Sequence, residues 1–147
     1  MIIKSFEIEK LSSYDFNLHL IYGNNEGIKE DIIKNNYLKH FNGEVLKYEE
    51  QEILNSKDEF ISSLLTKSLF ETSKLIIISR CSDKLTNLVA EILENEIIET
   101  KIIIKSSNLE KKSKLRNLFE KEKKLVCTPV YEDDNRSLNS VINIFLR

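Results

Sequence analysis

The chain has 147 residues, of which 41% are apolar and 31% are charged, and its formal net charge is -2. This length supports one sizeable hydrophobic core and is too short for two typical domains. The near balance of charge excludes both an overall basic field for nucleic acid and the acidic excess of a disordered chain. A charged partner must therefore be met by a local patch.

The sequence predicts a cytoplasmic protein that does not span a membrane. Acidic residues near the first residue interrupt the apolar run that a signal peptide requires, and no stretch approaches the length of a membrane-spanning helix. Cys81 and Cys127 have neither a metal-ligand spacing nor the density of a disulfide framework. Two such cysteines are typical of a reducing compartment, where they act as small buried apolar groups.

The first half of the chain alternates strand and helix patterns. Residues 17–22 predict a strand, and the apolar residues within 28–41 recur at helical spacing until Gly43 provides a stop signal. A short strand over 45–48 follows. The sequence Ser56-Lys57-Asp58-Glu59 then predicts a helix that opens with a capping box, and its apolar stripe lies within 60–65.

The second half continues this alternation. The apolar runs 75–78 and 102–104 are typical of central parallel strands covered on both faces. Helices are predicted over 84–93 and 109–122, and a last strand over 125–127. The order of elements predicts an α/β fold of three layers with a parallel sheet of about five strands.

The turn after the first strand resembles a phosphate loop that has lost its function. Counted from Gly23, the pattern G-x-x-x-x-G-K-[ST] requires glycine at 28, lysine at 29 and a hydroxyl at 30. The chain has Ile28, Lys29 and Glu30, so only the lysine fits. The β-branched side chain obstructs phosphate oxygens, and the carboxylates of Glu26 and Glu30 repel them. The layout is that of an ATPase, but the chemistry is missing.

Other catalytic groups are also missing from the pattern. A nucleotide-bound metal needs an acidic residue at the end of a central strand. The run 75–78 is followed by the sequence Ser-Arg-Cys-Ser, and Asp83 comes too late. His19 and His40 have no cysteine or second histidine nearby, so satisfied or solvated side chains are expected. The sequence thus predicts no catalytic residue, no metal site and no cofactor.

A basic region surrounds the fourth predicted helix, over 105–124. It is interpreted either as a solvated helical face, because glutamates interleave with the lysines, or as a surface that contacts phosphates without reading bases. The candidates for DNA contact are Lys111, Lys112, Lys114 and Arg116.

A second surface candidate is the sequence Ser68-Leu69-Phe70. Two large apolar residues follow the end of the amphipathic stripe and are bracketed by polar residues. Adjacent residues of a helix point about 100° apart, so at least one of the pair is a candidate for exposure. The pair is interpreted either as a cap on the core beneath the next strand or as an apolar plug for a partner's pocket.

Taken together, these features resemble the delta subunit of the bacterial DNA polymerase III clamp loader. The motifs that carry the resemblance, in chain order, are Ser5-Phe6-Glu7, Tyr22-Gly23-Asn24-Asn25-Glu26, Ser68-Leu69-Phe70, the stretch 107–115 and Cys127-Thr128-Pro129. The resemblance covers essentially the whole chain and corresponds to the family's N-terminal domain. It implies an AAA+-like, P-loop-NTPase-like domain over 1–136, followed over 137–147 by the start of a linker helix towards a lid domain.

The resemblance implies binding rather than catalysis. In that family the domain inserts a Leu-Phe pair into an apolar pocket of the sliding clamp, the beta subunit, and helps to open the ring. Leu69 and Phe70 match the pair, and Ser68 matches the residue before it. The further partners implied are the tau/gamma and delta prime subunits, with DNA contacted indirectly or weakly. DNA-directed DNA polymerase activity resides in other subunits of the holoenzyme.

Two alternatives from other functional classes stay open. One is a divergent P-loop nucleotide-binding protein that uses Lys29 with a rearranged loop. The other is a nucleic-acid-binding module that acts through the basic region 105–124 and binds duplexes in a strongly salt-dependent way.

Overall fold

Five parallel strands form one sheet in the part of the chain that the structure describes. The computed structural model describes residues 1–5, 7–8, 17–65, 73–95 and 100–131. The strands lie in the order β2-β3-β4-β1-β5, and every neighbouring pair is parallel. Their bounds are β1 Leu18–Tyr22, β2 Glu44–Glu49, β3 Lys74–Cys81, β4 Thr100–Ser106 and β5 Leu125–Pro129. The five predicted strands are confirmed.

The helices that connect these strands cover both faces of the sheet. Their bounds are α1 Glu26–Ile33, α2 Glu50–Asn55, α3 Lys57–Leu65, α4 Thr86–Glu94 and α5 Lys114–Lys121. A π-helical turn, Lys34–Leu38, continues α1, and a 3-10 turn, Asp83–Leu85, precedes α4. The α/β class with helices on a parallel sheet is thereby confirmed, and the arrangement is consistent with a three-layer, P-loop-like fold.

Alternation along the strands divides the core into two clusters, because successive side chains of a strand point to opposite faces. One face of β1, β3 and β4 packs against α3, α4 and α5 through side chains that include Phe60, Leu88 and Phe119. The other face packs against α1 through Ile32 and Ile33. The central strands are therefore apolar on both sides, which explains their continuous apolar runs.

One helical prediction was wrong in extent, and one helix was missed. The helix predicted over 109–122 begins only at Lys114, because the Ser113 hydroxyl accepts a hydrogen bond from the Arg116 amide at 3.2 Å and caps it there. A further helix, α2, was not predicted. It begins directly after β2, where the Glu52 carboxylate accepts from the Glu49 amide at 3.2 Å in a capping box.

The N-terminal segment lies along the outer edge of β5. The Ile3 amide donates to the Cys127 carbonyl at 2.9 Å, and the Cys127 amide donates to the Met1 carbonyl at 3.0 Å. Ile2 and Cys127 form a parallel bridge. Backbone groups of an edge strand are thereby satisfied within the chain.

Gly23 joins β1 to the loop before α1 in a backbone conformation that favours glycine, with φ of 135°. A Cβ atom there lies 1.7 Å from the Val130 carbonyl oxygen, whereas a Cβ at Gly27 meets nothing nearer than 3.6 Å. The Val130 backbone lies this close to Gly23 because its amide donates a hydrogen bond to the Tyr22 carbonyl at 2.7 Å.

We expect Gly23→Ala to lower the free energy of unfolding by about 2 kcal/mol or more, because the added methyl group collides with the Val130 backbone and alanine is strained at this φ. Gly27→Ala is the matched control, and on helix propensity it changes stability by less than about 1 kcal/mol, towards greater stability. Urea denaturation of both variants measures the difference. Equal stabilities for the two variants would contradict the close packing at Gly23.

Candidate functional site

The loop between β1 and α1 occupies the position of a phosphate loop at the carboxyl edge of the sheet. The Asn25 side chain accepts from the Ile28 amide at 3.1 Å and caps α1. The Gly23 amide donates to the Ser107 carbonyl at 3.2 Å, which ties the loop to the end of β4. Local hydrogen bonding therefore holds the loop in place.

Lys29 is buried, and neighbouring oxygens bind its ammonium group. Its side chain is 1% exposed. The ammonium group donates to the Gly23 and Ser106 carbonyls, each at 2.9 Å, and lies 2.5 Å from a Glu26 carboxylate oxygen. An ammonium group has three N–H donors, and these three oxygens can take all of them. The lysine at the motif position therefore stabilises the conformation of the loop.

The remaining side chains of the loop also disfavour phosphate. Ile28 is half-buried against the cluster beneath α1. Glu26, Glu30 and Asp31 are exposed carboxylates near the start of the helix. Glu30 forms an ion pair with Lys105 from the end of β4. The loop therefore has no unused cation to offset its own carboxylates.

A crevice of about 560 Å³ opens beside this loop, at the carboxyl ends of β3 and β4. Ligands of open α/β sheets bind at this edge, and the volume is within the usual range of small-molecule sites. Its charged lining residues are Glu26, Lys29, Arg80 and Lys105. The uncharged ones are Cys81 and the serines Ser79, Ser82, Ser106 and Ser107. The lining is thus rich in hydroxyls and cations.

Two carboxylates beside the crevice are committed to the fold. Glu50, at the start of α2, is buried and accepts from the Ser82 amide at 2.8 Å and from its hydroxyl at 2.9 Å. Asp83 accepts from the Ser113 hydroxyl at 2.5 Å and the Leu115 amide at 3.2 Å. The bond from Ser113 is the main cause that lowers the pKa of Asp83. Both carboxylates therefore stabilise the segment of chain that follows β3.

Sequence reasoning missed the role of Glu50. The available signal was its position, since a carboxylate that directly follows a strand lies at the carboxyl edge of the sheet, where the crevice is found. Its partner Ser82 was noted only as part of the segment that lacks a metal-binding acid. Neither residue alone gives a recognisable motif.

His19 is a buried structural residue, as expected. Its Nδ1 lies 2.5 Å from the Tyr37 hydroxyl, and its Nε2 lies 2.7 Å from the Thr128 hydroxyl. Burial lowers the pKa of His19 to about 3, so the ring is neutral at physiological pH. The prediction for His40 is also confirmed, because that side chain is exposed.

Both cysteines are buried and free, as predicted. Burial raises the pKa of Cys127 to about 11 and raises that of Cys81 further. Thiols with raised pKa values are poor nucleophiles at neutral pH. Neither cysteine is therefore a candidate for nucleophilic catalysis.

The proposed plug residues Ser68, Leu69 and Phe70 lie outside the described residues. The elements on either side of them are described: α3 ends at Leu65, and β3 begins at Lys74. Leu65 is an apolar residue that is 50% exposed. β3 begins at the amino edge of the sheet, whereas the crevice lies at the carboxyl edge.

The four candidates for DNA contact differ in their surroundings. Lys111, Lys112 and Lys114 are exposed in the turn before α5 and at its first residue. The Arg116 guanidinium is engaged, since it donates to Glu120 at 2.8 Å and to the Leu109 carbonyl at 2.9 Å. It also lies 5.3 Å from the centre of the Tyr22 ring, within the range of a cation–π contact.

Metal ligation, membrane insertion and similarity to known proteins each bear on function. Within the ranges given above, no three histidine, cysteine or acidic side chains come together as a group that could hold a metal ion. In the same ranges, no helix combines the length and apolar character needed to cross a membrane. Neither a protein-family model nor a curated protein sequence matches the chain.

We expect Lys29→Met to lower the free energy of unfolding by about 2 to 4 kcal/mol, because it leaves the buried Gly23 and Ser106 carbonyls without a donor. Lys34→Met, on the exposed surface of the π-helical turn, is the matched control and changes stability by less than about 0.5 kcal/mol. Urea denaturation monitored by circular dichroism measures both. A Lys29→Met variant as stable as the control would show that the ammonium group does not hold the loop.

We also expect stability to depend on pH through His19. Its pKa is about 3 in the folded protein against 6.5 for the ordinary side chain, so the unfolded chain takes up the proton first as the pH falls. The free energy of unfolding therefore decreases by about 2 kcal/mol between about pH 7.5 and about pH 5. His19→Gln should remove this slope, and His40→Gln should retain it. Equal slopes in all three proteins would contradict the assignment.

Proposed function

We propose that the chain is a non-catalytic, AAA+-like clamp-loader domain of the delta type, which binds the sliding clamp through Leu69 and Phe70 and helps to open the ring. The observation that carries the proposal is the internal use of Lys29, whose ammonium group is bound by the loop itself. A P-loop-like domain whose lysine is bound internally is suited to binding a partner protein and not to ATP hydrolysis.

A second feature supports the absence of hydrolysis. The residues after the apolar part of β3 are serine, arginine and cysteine, and the next carboxylate along the chain, that of Asp83, accepts hydrogen bonds from Ser113 and Leu115. A nucleotide-bound magnesium ion requires a free carboxylate at this position. In the proposed assembly, sister subunits of the tau/gamma type turn over ATP in the cytoplasm, and this domain contributes binding energy.

The pair Leu69 and Phe70 supports the choice of partner through its resemblance to the clamp-binding pair of the family. Burying one leucine and one phenylalanine side chain contributes about 3 to 6 kcal/mol. If the open ring accepts the pair better than the closed ring does, this energy shifts the clamp towards the open form without hydrolysis in this subunit. Contacts with DNA are then indirect or weak, and the delta prime subunit is a further partner in the loader.

The test is to measure the affinity of the 147-residue chain for a purified bacterial sliding clamp by surface plasmon resonance. We expect Leu69→Ala combined with Phe70→Ala to weaken binding by about a hundredfold or more, because interface energy concentrates in a few desolvated side chains. The matched control is Ile2→Ala, which truncates an exposed apolar residue beside β5 and should bind like the parent.

Thermal unfolding of the double variant separates a surface role from a core role. Parental affinity in the double variant would show that the pair is not the plug, and a large loss of melting temperature would assign the pair to the core. Failure of the parent chain to bind the clamp would overturn the proposed function. Magnesium-dependent hydrolysis of ATP by the isolated chain would favour the divergent P-loop alternative.

A further inference from the structure

Arg80 has a backbone conformation that the sequence did not predict. Its φ is 56°, and no other non-glycine residue in the described part of the chain has a positive φ. The register of β3 against β4 pairs Ile78 with Ile104 and Cys81 with Ser106. Ser79 and Arg80 thus lie opposite the single residue Lys105, as in a β-bulge.

This bulge directs an arginine to the carboxyl edge of the sheet. Bulges are frequent beside functional sites, where they re-aim a side chain, and strained left-handed residues cluster at ligand-binding positions. Arg80 lines the crevice of about 560 Å³. The bulge places it next to Lys105 on the neighbouring strand.

Among the cations that line the crevice, Arg80 is the most weakly engaged, since its ion pair with the exposed Glu49 is long. Lys29 is bound by three oxygens, including the carboxylate of Glu26, and Lys105 is paired with the exposed Glu30. The Arg80 side chain is 82% exposed, and its Nε lies 3.8 Å from Glu49, too far for a hydrogen bond. A guanidinium group presents a fork of N–H donors that suits phosphate oxygens.

We propose that this crevice binds a small phosphate-bearing molecule, which is held by Arg80 with the hydroxyl groups of Ser79 and Ser107. The site lies on the β3 side of the crevice and does not use the closed loop around Lys29. Binding is therefore independent of magnesium and is not followed by hydrolysis. This site is separate from the proposed clamp-binding pair, and its test does not depend on the clamp.

The test is calorimetric titration of the full chain with inorganic phosphate, pyrophosphate and ADP, in a buffer that contains EDTA. We expect saturable binding of pyrophosphate with a Kd below about 1 mM, and a loss of about tenfold or more in Arg80→Gly. Glycine adopts the backbone conformation at this position without strain, so this variant should keep its fold. Arg80→Ala is a second variant, and it retains a side chain at this position.

The matched control is Lys101→Ala, which removes one exposed positive charge at the amino end of β4, away from the crevice. Its affinity for pyrophosphate should stay within about twofold of the parent. ADP that binds more tightly than pyrophosphate would identify a nucleotide ligand, and equal affinities would identify recognition through the phosphates alone. Both results support the proposal. The absence of saturation up to about 10 mM, or equal losses in the Arg80 and Lys101 variants, would overturn it.

Discussion

The ammonium group of Lys29 fixes the junction of β1, β4 and α1. It joins the carbonyl at the end of β1 to the carbonyl at the end of β4, and the same lysine belongs to the first turns of α1. A buried charge is stable only when its hydrogen bonds are satisfied, and three oxygens meet that requirement here. The position of the loop follows from this constraint. The lysine at the position of a phosphate-loop lysine thus stabilises the carboxyl edge of the sheet.

The architecture of the sheet does not depend on a ligand at this edge. The parallel sheet depends on apolar contacts on both faces, and none of them requires a ligand at the carboxyl edge. Glu50 and Asp83, which lie near this edge, each accept hydrogen bonds from a serine hydroxyl and a backbone amide. Carboxylates that are satisfied in this way stabilise loops and helix ends, and a cation would have to displace those donors.

The fold could be predicted further from the sequence than the site could. Apolar runs such as 75–78 and 102–104 identify central strands because burial on both faces leaves no polar alternation. Helix ends were less predictable, since Lys114 begins α5 only because Ser113 caps it. The internal role of Lys29 and the left-handed Arg80 could not be predicted, because both depend on strands brought together by the sheet. A motif comparison could show that the loop departs from the phosphate pattern, but not which oxygens the lysine would bind.

Parallel strands give the two edges of the sheet different chemistry. At the carboxyl edge, loops meet backbone carbonyls, serines and Arg80, so a polar ligand is favoured there. β3 begins at Lys74, at the amino edge, and ends beside the bulge at Arg80. The proposed clamp contact rests on Leu69 and Phe70, and the proposed phosphate site rests on Arg80. Because the two proposals share no side chain, a substitution that tests one of them leaves the residues of the other unchanged.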